Sequence, residues 1–129
     1  MKASIILPAY NEGKNIGKVI RAVKKTGDHE IIVVDDGSKD NTLDVAKAEG
    51  CICIRLNKNR GKGFACKTGA KIATNNNLVF IDSDGQLDAR EIPSLLAALK
   101  SCDIAVGVRD MKDIPIQRKF SNKFARSMV

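Results

Sequence analysis

Tryptophan is absent from this 129-residue chain, and one tyrosine with four phenylalanines brings the aromatics to only 4%. A core of stacked rings is therefore excluded, and the interior must be filled by Ile, Val, Leu and Ala. No apolar run approaches the ~20 residues that a membrane-spanning helix needs. Nor does the amino end show the charged, apolar and small-residue succession of a secretory signal. Both absences point to a protein made and kept in the cytoplasm. Histidine occurs once, as His29, among polar residues. The four cysteines, Cys51, Cys53, Cys66 and Cys102, show no CxxC spacing and no histidine companions. Buried, reduced thiols are expected in place of a zinc site or a disulfide framework.

What is present suits one globular domain over residues 1–129, with 43% hydrophobic and 29% charged residues. Folding at this size removes roughly two-thirds of the unfolded chain's surface from water, enough for a core without staples. The net charge of +7 favours phosphate-bearing partners such as nucleotides or anionic lipid. Nucleic acid is the weaker reading, because the basic segments lack interleaved aromatic platforms and no helix-turn-helix pattern occurs.

Short β-branched runs, Ser4 to Leu7, Ile31 to Val34, Leu78 to Ile81 and Ile104 to Val106, are continuous and bounded by turn residues. That pattern predicts strands covered on both faces of a parallel sheet, with Cys51 to Ile54 a further candidate. Between them, Ile16, Val19, Ile20 and Val23 recur at helical spacing, as do Ile92, Leu95, Leu96 and Leu99. Thr42 to Ala48 and Gly63 to Ala73 also read as helix, the latter with Phe64, Thr68 and Ile72 on one side. Strand alternating with helix predicts an α/β, Rossmann-like, doubly wound and mainly parallel sheet, whose ligands bind beyond the carboxyl ends of the strands.

Polar residues crowd those ends. Asp82-Ser83-Asp84-Gly85-Gln86 places two carboxylates one residue apart directly after a strand, hard oxygen donors of the kind that Mg²⁺ or Mn²⁺ takes, with Gln86 adding a neutral oxygen. A plain Asp-rich turn before glycine gives the same string. Asp35-Asp36-Gly37-Ser38 follows the second strand and offers a carboxylate to a base or ribose, while Ser38 or Asp40 could instead cap the helix near Thr42. From Arg55 to Lys62 four cations stand without one acid, and Gly61 and Gly63 permit close approach of a phosphate at a helix start. A solvated basic loop accounts for them equally well. In 110–129, Ile116, Phe120, Phe124 and Met128 recur every four residues among basic ones. Such a helix either packs on the sheet or a second copy of the chain, or lies on an anionic membrane surface or binds a polyphosphate.

In order along the chain, Ile5 to Glu12, Val33 to Thr42, Asn59 to Gly63 and Asp82 to Gln86 resemble the inverting family-two glycosyltransferases of the A-type nucleotide-binding fold. Within that family they are most similar to dolichyl-phosphate mannose synthases and bacterial polyprenyl-phosphate glycosyltransferases. The resemblance implies transfer of a hexose from a GDP- or UDP-sugar to an acceptor, a polyprenyl phosphate in that branch, at a membrane surface. It implies that Pro8, Ala9, Tyr10, Glu12, Asp35, Asp36, Lys62, Gly63, Asp82 and Ser83 hold the nucleotide sugar. Asp82, Asp84 and Gln86 would take Mg²⁺ or Mn²⁺, and Asp84, Arg109 and Arg118 would serve catalysis. Relatives continue past the equivalent of Val129 with an acceptor-site portion, so a nucleotide-sugar-binding module that needs a partner chain is the alternative expectation. Phe80 to Gly85 also resembles the haloacid-dehalogenase phosphatase motif, but Gln86 stands where that motif has Thr.

Overall fold

The computed structural model describes residues 2–86, 88–103 and 105. The chain divides into two compact units, 1–92 and 93–129. The first contains β1 (Ser4–Ala9), α1 (Ile16–Lys24), β2 (Glu30–Asp35), α2 (Thr42–Ala48), β3 (Ile52–Arg55), α3 (Lys62–Ile72) and β4 (Leu78–Phe80), then a short 3₁₀ turn, Ala89–Glu91. α4 (Ile92–Ala98) leads into the second unit, where Leu99 N–H donates to Leu95 O and the Ser101 hydroxyl to Ala98 O. The run predicted as a strand over 104–106 falls largely outside the described residues, as does the amphipathic segment over 110–129.

The sheet is wholly parallel, in the order β3-β2-β1-β4. Chain order thus runs outward from β1 through β2 to β3, then returns to the other side of β1 with β4. This reversal creates a topological switch between β1 and β4, beyond whose carboxyl ends a doubly wound sheet opens a crevice. Ile6 pairs in register with Ile32 and with Phe80, and Ile5 with Ile31 and Val79, so alternate residues of neighbouring strands share a face.

Both faces of β1 and β2 are buried, which explains their unbroken apolar runs. On one face Ile6, Ile32 and Val34 form a core with Ala65 of α3. The helix comes in so close that a Cβ on Gly69 would lie 2.6 Å from Ile6 Cγ2. The other face, Ile5, Leu7, Ile31 and Val33, falls to the side of α1 and α2. α1 buries Ile16, Val19, Ile20 and Val23, the stripe its periodicity predicts. The two helices are joined by Arg21 and Lys24 of α1, both ion-paired with Glu49 just after α2.

Size decides which side of α3 faces the sheet. Its buried residues are Ala65 and Gly69, while Phe64 and Ile72 are each 43% exposed. Close approach to the sheet selects the small residues for the inner face, and the apolar spacing of Phe64, Thr68 and Ile72 marks an outer one. No helix among the described residues is long and apolar enough to cross a membrane.

Candidate functional site

The loops after β1 and β2 are stitched to each other before any ligand is considered. Asp36 N–H donates to Ala9 O (2.8 Å), Asn11 N–H to the Ser38 hydroxyl (2.8 Å), and Lys39 N–H to Asn11 Oδ1 (2.9 Å). Glu12 N–H donates to Thr42 Oγ1 (2.9 Å), and Asn11 takes a φ of 53°, which a short polar side chain tolerates best. Asp40 closes this corner, accepting from Gly13 N–H and Thr42 N–H at 3.0 Å each and from the Thr42 hydroxyl. The hydroxyl bond, then the amides, hold the Asp40 carboxyl below its ordinary range. Neither Ser38 nor Asp40 is the cap of α2: that position is Asn41, which makes no side-chain cap bond, while Asp40 holds the amide of Thr42 from one residue further out and Ser38 serves Asn11. Pro8 and Ala9 are buried beneath these loops, Glu12 is half-buried and accepts from Asn15 Nδ2, and Tyr10 stands out at 42% exposure.

Asp35 and Asp36 are both buried but do different work. Asp35 Oδ1 accepts from Ser38 N–H (3.0 Å), and its Oδ2 finds no hydrogen-bond partner among the described residues. Asp36 reaches across to the basic loop, accepting from Arg60 N–H at Oδ1 (2.7 Å) and from Gly61 N–H at Oδ2 (2.9 Å). Gly37 makes that approach possible. At φ +76°, a Cβ there would lie 2.7 Å from Lys58 C and 2.8 Å from Asn59 N, backbone atoms that cannot swing aside. The loop over 56–61 is therefore gripped by a buried carboxylate, with the Arg60 guanidinium 4.9 Å from the Phe64 ring centre.

The turn after β4 completes the arrangement. Ser83 is buried, and its hydroxyl donates to Pro8 O (2.7 Å), pinning the turn to the end of β1. Asp82 is ion-paired with the Lys62 ammonium, which brings the first residue of α3 to the turn. Asp84 Oδ1 accepts from Gln86 N–H (3.0 Å) around Gly85, whose φ is +78°. Asp82 and Asp84 are hard carboxylates flanking a pinned residue, and the ammonium on Asp82 marks a point that already takes a positive charge. This donor set fits a divalent ion completed by substrate phosphates. Among the described residues no three His, Cys, Asp or Glu side chains gather as a metal site of their own.

Pro8, Ala9, Tyr10, Glu12, Asp35, Asp36, Lys62, Gly63, Asp82, Ser83, Asp84 and Gln86 thus all sit at one end of the sheet: Pro8, Ala9 and Asp35 as the last residues of β1 and β2, Lys62 and Gly63 as the first of α3, and the others on the loops that follow β1, β2 and β4. Arg109 and Arg118 lie outside the described residues. The bracing parts of Asn11, Asp40 and Thr42 have only a weak signal in sequence, polar residues spaced as a turn and a helix start. At the opposite strand ends, His29 Nδ1 accepts from Ala3 N–H (3.2 Å), and burial pushes its pKa below the ordinary histidine value, a structural role. The cysteines are free thiols, but not fully buried as expected: Cys51, Cys53 and Cys66 are half-buried and Cys102 is exposed.

A model of glycosyl transferase family 2 matches residues 4–127. An uncharacterised protein of Methanocaldococcus jannaschii is 41% identical over 132 aligned positions, covering 93% of this chain and 57% of its own length. A second protein of that organism is 35% identical over 128 positions, covering 92% and 53%. The chain therefore spans about half the length of the curated relatives it matches. Among solved structures, glucosyl-3-phosphoglycerate synthase from Mycobacterium tuberculosis, in complex with Mn²⁺, UDP and glucosyl-3-phosphoglycerate, is 29% identical at a TM-score of 0.62, over 78% of this chain and 40% of its own. A mannosyltransferase from Pyrobaculum calidifontis, in complex with GDP-mannose and Mn²⁺, aligns at a TM-score of 0.76 over 86% of this chain and 36% of its own; at 22% identity it carries the fold alone.

Proposed function

The chain belongs to glycosyl transferase family 2, and from that premise we propose that it binds a GDP- or UDP-hexose and transfers the hexose, with inversion, to an acceptor. The observation that carries this reading is the carboxylate turn after β4, pinned to β1 by Ser83 and facing a cation-bearing loop across the topological switch. A nucleotide diphosphate needs both partners at once, cations for its phosphates and carboxylates for the metal that accompanies it. Support also comes from the Mycobacterium tuberculosis relative, solved with Mn²⁺ and UDP.

In this proposal the base and ribose lie over the loops after β1 and β2. Tyr10 offers an exposed ring, Pro8, Ala9 and Glu12 shape the floor, and Asp35 and Asp36 offer acceptors. Asp36 can serve a ligand and its own loop together, since each carboxylate oxygen carries two lone-pair sites. Lys62, with Gly63 and Ser83 beside it, faces the diphosphate. Asp82, Asp84 and Gln86 hold Mg²⁺ or Mn²⁺, which when bound supplies neutralisation of the charge that develops on the departing nucleoside diphosphate. The bond from the sugar's anomeric carbon to the diphosphate breaks as a bond to the acceptor oxygen forms on the opposite face. Arg109 is assigned to catalysis, and Arg118 or Arg126 to the donor or acceptor phosphate. The favoured acceptor is a polyprenyl phosphate, already anionic at neutral pH, so that no strong general base is required and the excess of basic residues suits a membrane surface.

The test is Asp84→Asn, with nucleotide affinity measured by calorimetry in Mn²⁺ beside thermal stability. Metal-dependent nucleotide binding is expected to fall far more than stability. Unchanged nucleotide affinity with a lowered melting temperature would assign Asp84 to the turn alone.

A further inference from the structure

We infer that Lys62 is the resident counter-ion of Asp82, so that free divalent cation is held off the turn after β4 until a nucleoside diphosphate draws the ammonium onto its phosphates. This rests on the donor-site reading above and deepens it into an order of assembly: metal and nucleotide enter together.

Three features combine. First, the Lys62 ammonium is paired with Asp82, the carboxylate nearest the end of β4. Second, its head and its base differ in freedom. The Lys62 side chain is 64% exposed, and the Asp82 side chain 31%. An ion pair at such exposure is weak and screened, and a lysine stem re-aims easily, so the contact yields to a stronger anion. The backbone beneath it does not yield. Lys62 directly follows Gly61, and the amides of Arg60 and Gly61 are held by the buried Asp36 carboxylate. The ammonium therefore pivots from a fixed point between Asp82 and the space over the start of α3. That space is open, for a Cβ on Gly61 or Gly63 would meet nothing within 4 Å.

Third, the charges set the order. With the ammonium on Asp82, an arriving dication meets a like charge a few ångströms away. A diphosphate reverses this by taking the ammonium and adding its own negative charge beside the carboxylates. Each ligand then raises the affinity of the other by the same factor, as linkage requires.

The test measures Mn²⁺ binding by electron paramagnetic resonance for the wild type, Lys62→Met and Lys62→Arg. Each is titrated first with Mn²⁺ alone, then with Mn²⁺ in the presence of UDP or of GDP. Removing one charge a few ångströms from the ion is expected to tighten binding of free Mn²⁺ roughly tenfold in Lys62→Met. Lys62→Arg, which keeps the charge, is expected to stay within about twofold of wild type on the same Coulomb argument. Adding Asp82→Asn to Lys62→Met removes the gain, which locates it at this carboxylate. The factor by which nucleotide strengthens Mn²⁺ binding shrinks in Lys62→Met. The inference is overturned if Lys62→Met takes free Mn²⁺ no more tightly than wild type, whether both bind it or neither does. It is equally overturned if the gain survives Asp82→Asn. Failure of wild type to bind either nucleotide with Mn²⁺ defeats the donor-site reading instead, and the comparison without nucleotide still decides the role of Lys62.

Discussion

Replacing Asp36 by asparagine changes one atom and separates a folding role from a binding one. Asp36 is 4% exposed, and its carboxylate accepts from two successive backbone amides, at 2.7 Å from Arg60 and 2.9 Å from Gly61. An amide side chain keeps one acceptor oxygen and turns its NH₂ toward the other N–H, so one bond is lost and two donors face each other. A hydrogen bond to an ionised group contributes roughly 1.5–3 kcal/mol, and a buried donor left unpaired costs about 1–3 kcal/mol. The surviving bond also weakens from charge-assisted to neutral. Relaxation of the loop over 57–61 toward solvent recovers part of the loss, leaving a destabilisation of about 2–4 kcal/mol. With a mid-range urea slope of roughly 2 kcal/mol per molar, the unfolding midpoint should fall by about 1–2 M. Circular dichroism in urea measures that midpoint, and limited proteolysis reads whether cleavage within 57–61 accelerates in native buffer. An unchanged midpoint together with an unchanged cleavage rate would refute the bracing role and leave Asp36 as a ligand contact alone.

Gly69→Ala sets helix propensity against packing: the substitution gains about 1 kcal/mol in an isolated helix, but overpacking costs roughly 1–3 kcal/mol. Because the new methyl would lie 2.6 Å from fully buried Ile6, packing is expected to win, and a raised melting temperature would show that α3 has room to lift. Glu30 is held below the ordinary glutamate value of 4.5, chiefly by the Thr74 amide and then by the Ser4 hydroxyl. Its contribution is thus complete above that value and disappears as the pH falls through the lower folded one. Glu30→Gln should flatten the acid limb of a stability-against-pH curve, and a limb identical to wild type counts against the assignment. Burial pushes the Cys51 thiol up to about 12, so at pH 8 iodoacetamide should label exposed Cys102 first and Cys51 last; mass spectrometry of the digest orders them, and early labelling of Cys51 contradicts this environment.

The strands and helices of the first unit were legible because each carries its own signal. A doubly buried strand leaves an unbroken β-branched run, and α1 leaves a four-residue stripe at helical spacing. The bounds of α2 fall on Thr42 and Ala48, where the sequence suggests them. Which side of α3 packs on the sheet was not legible, because periodicity ranks hydrophobicity while close packing on β1 ranks size: Phe64 and Ile72 share a side, but Ala65 and Gly69 are the buried residues. The site was legible as a set of loops, since polar clusters following apolar runs mark the carboxyl ends of strands. The pairings within it were not. Nothing local to Asp36 says that its partners are the amides of Arg60 and Gly61, more than twenty residues away. Nothing local to Lys62 points to Asp82 either. Both depend on the order β3-β2-β1-β4, which brings the loops after β3 and β4 to either side of the β1 and β2 ends.

The most direct measurement of the donor-site proposal is a calorimetric titration of the purified protein with GDP, GDP-mannose, UDP and UDP-glucose, each in Mn²⁺ and again in EDTA. Saturable binding of one nucleotide family in Mn²⁺, lost in EDTA, is the predicted result. Absence of binding under every condition, or equal binding in Mn²⁺ and EDTA, would contradict a metal-assisted nucleotide-sugar site at the turn after β4.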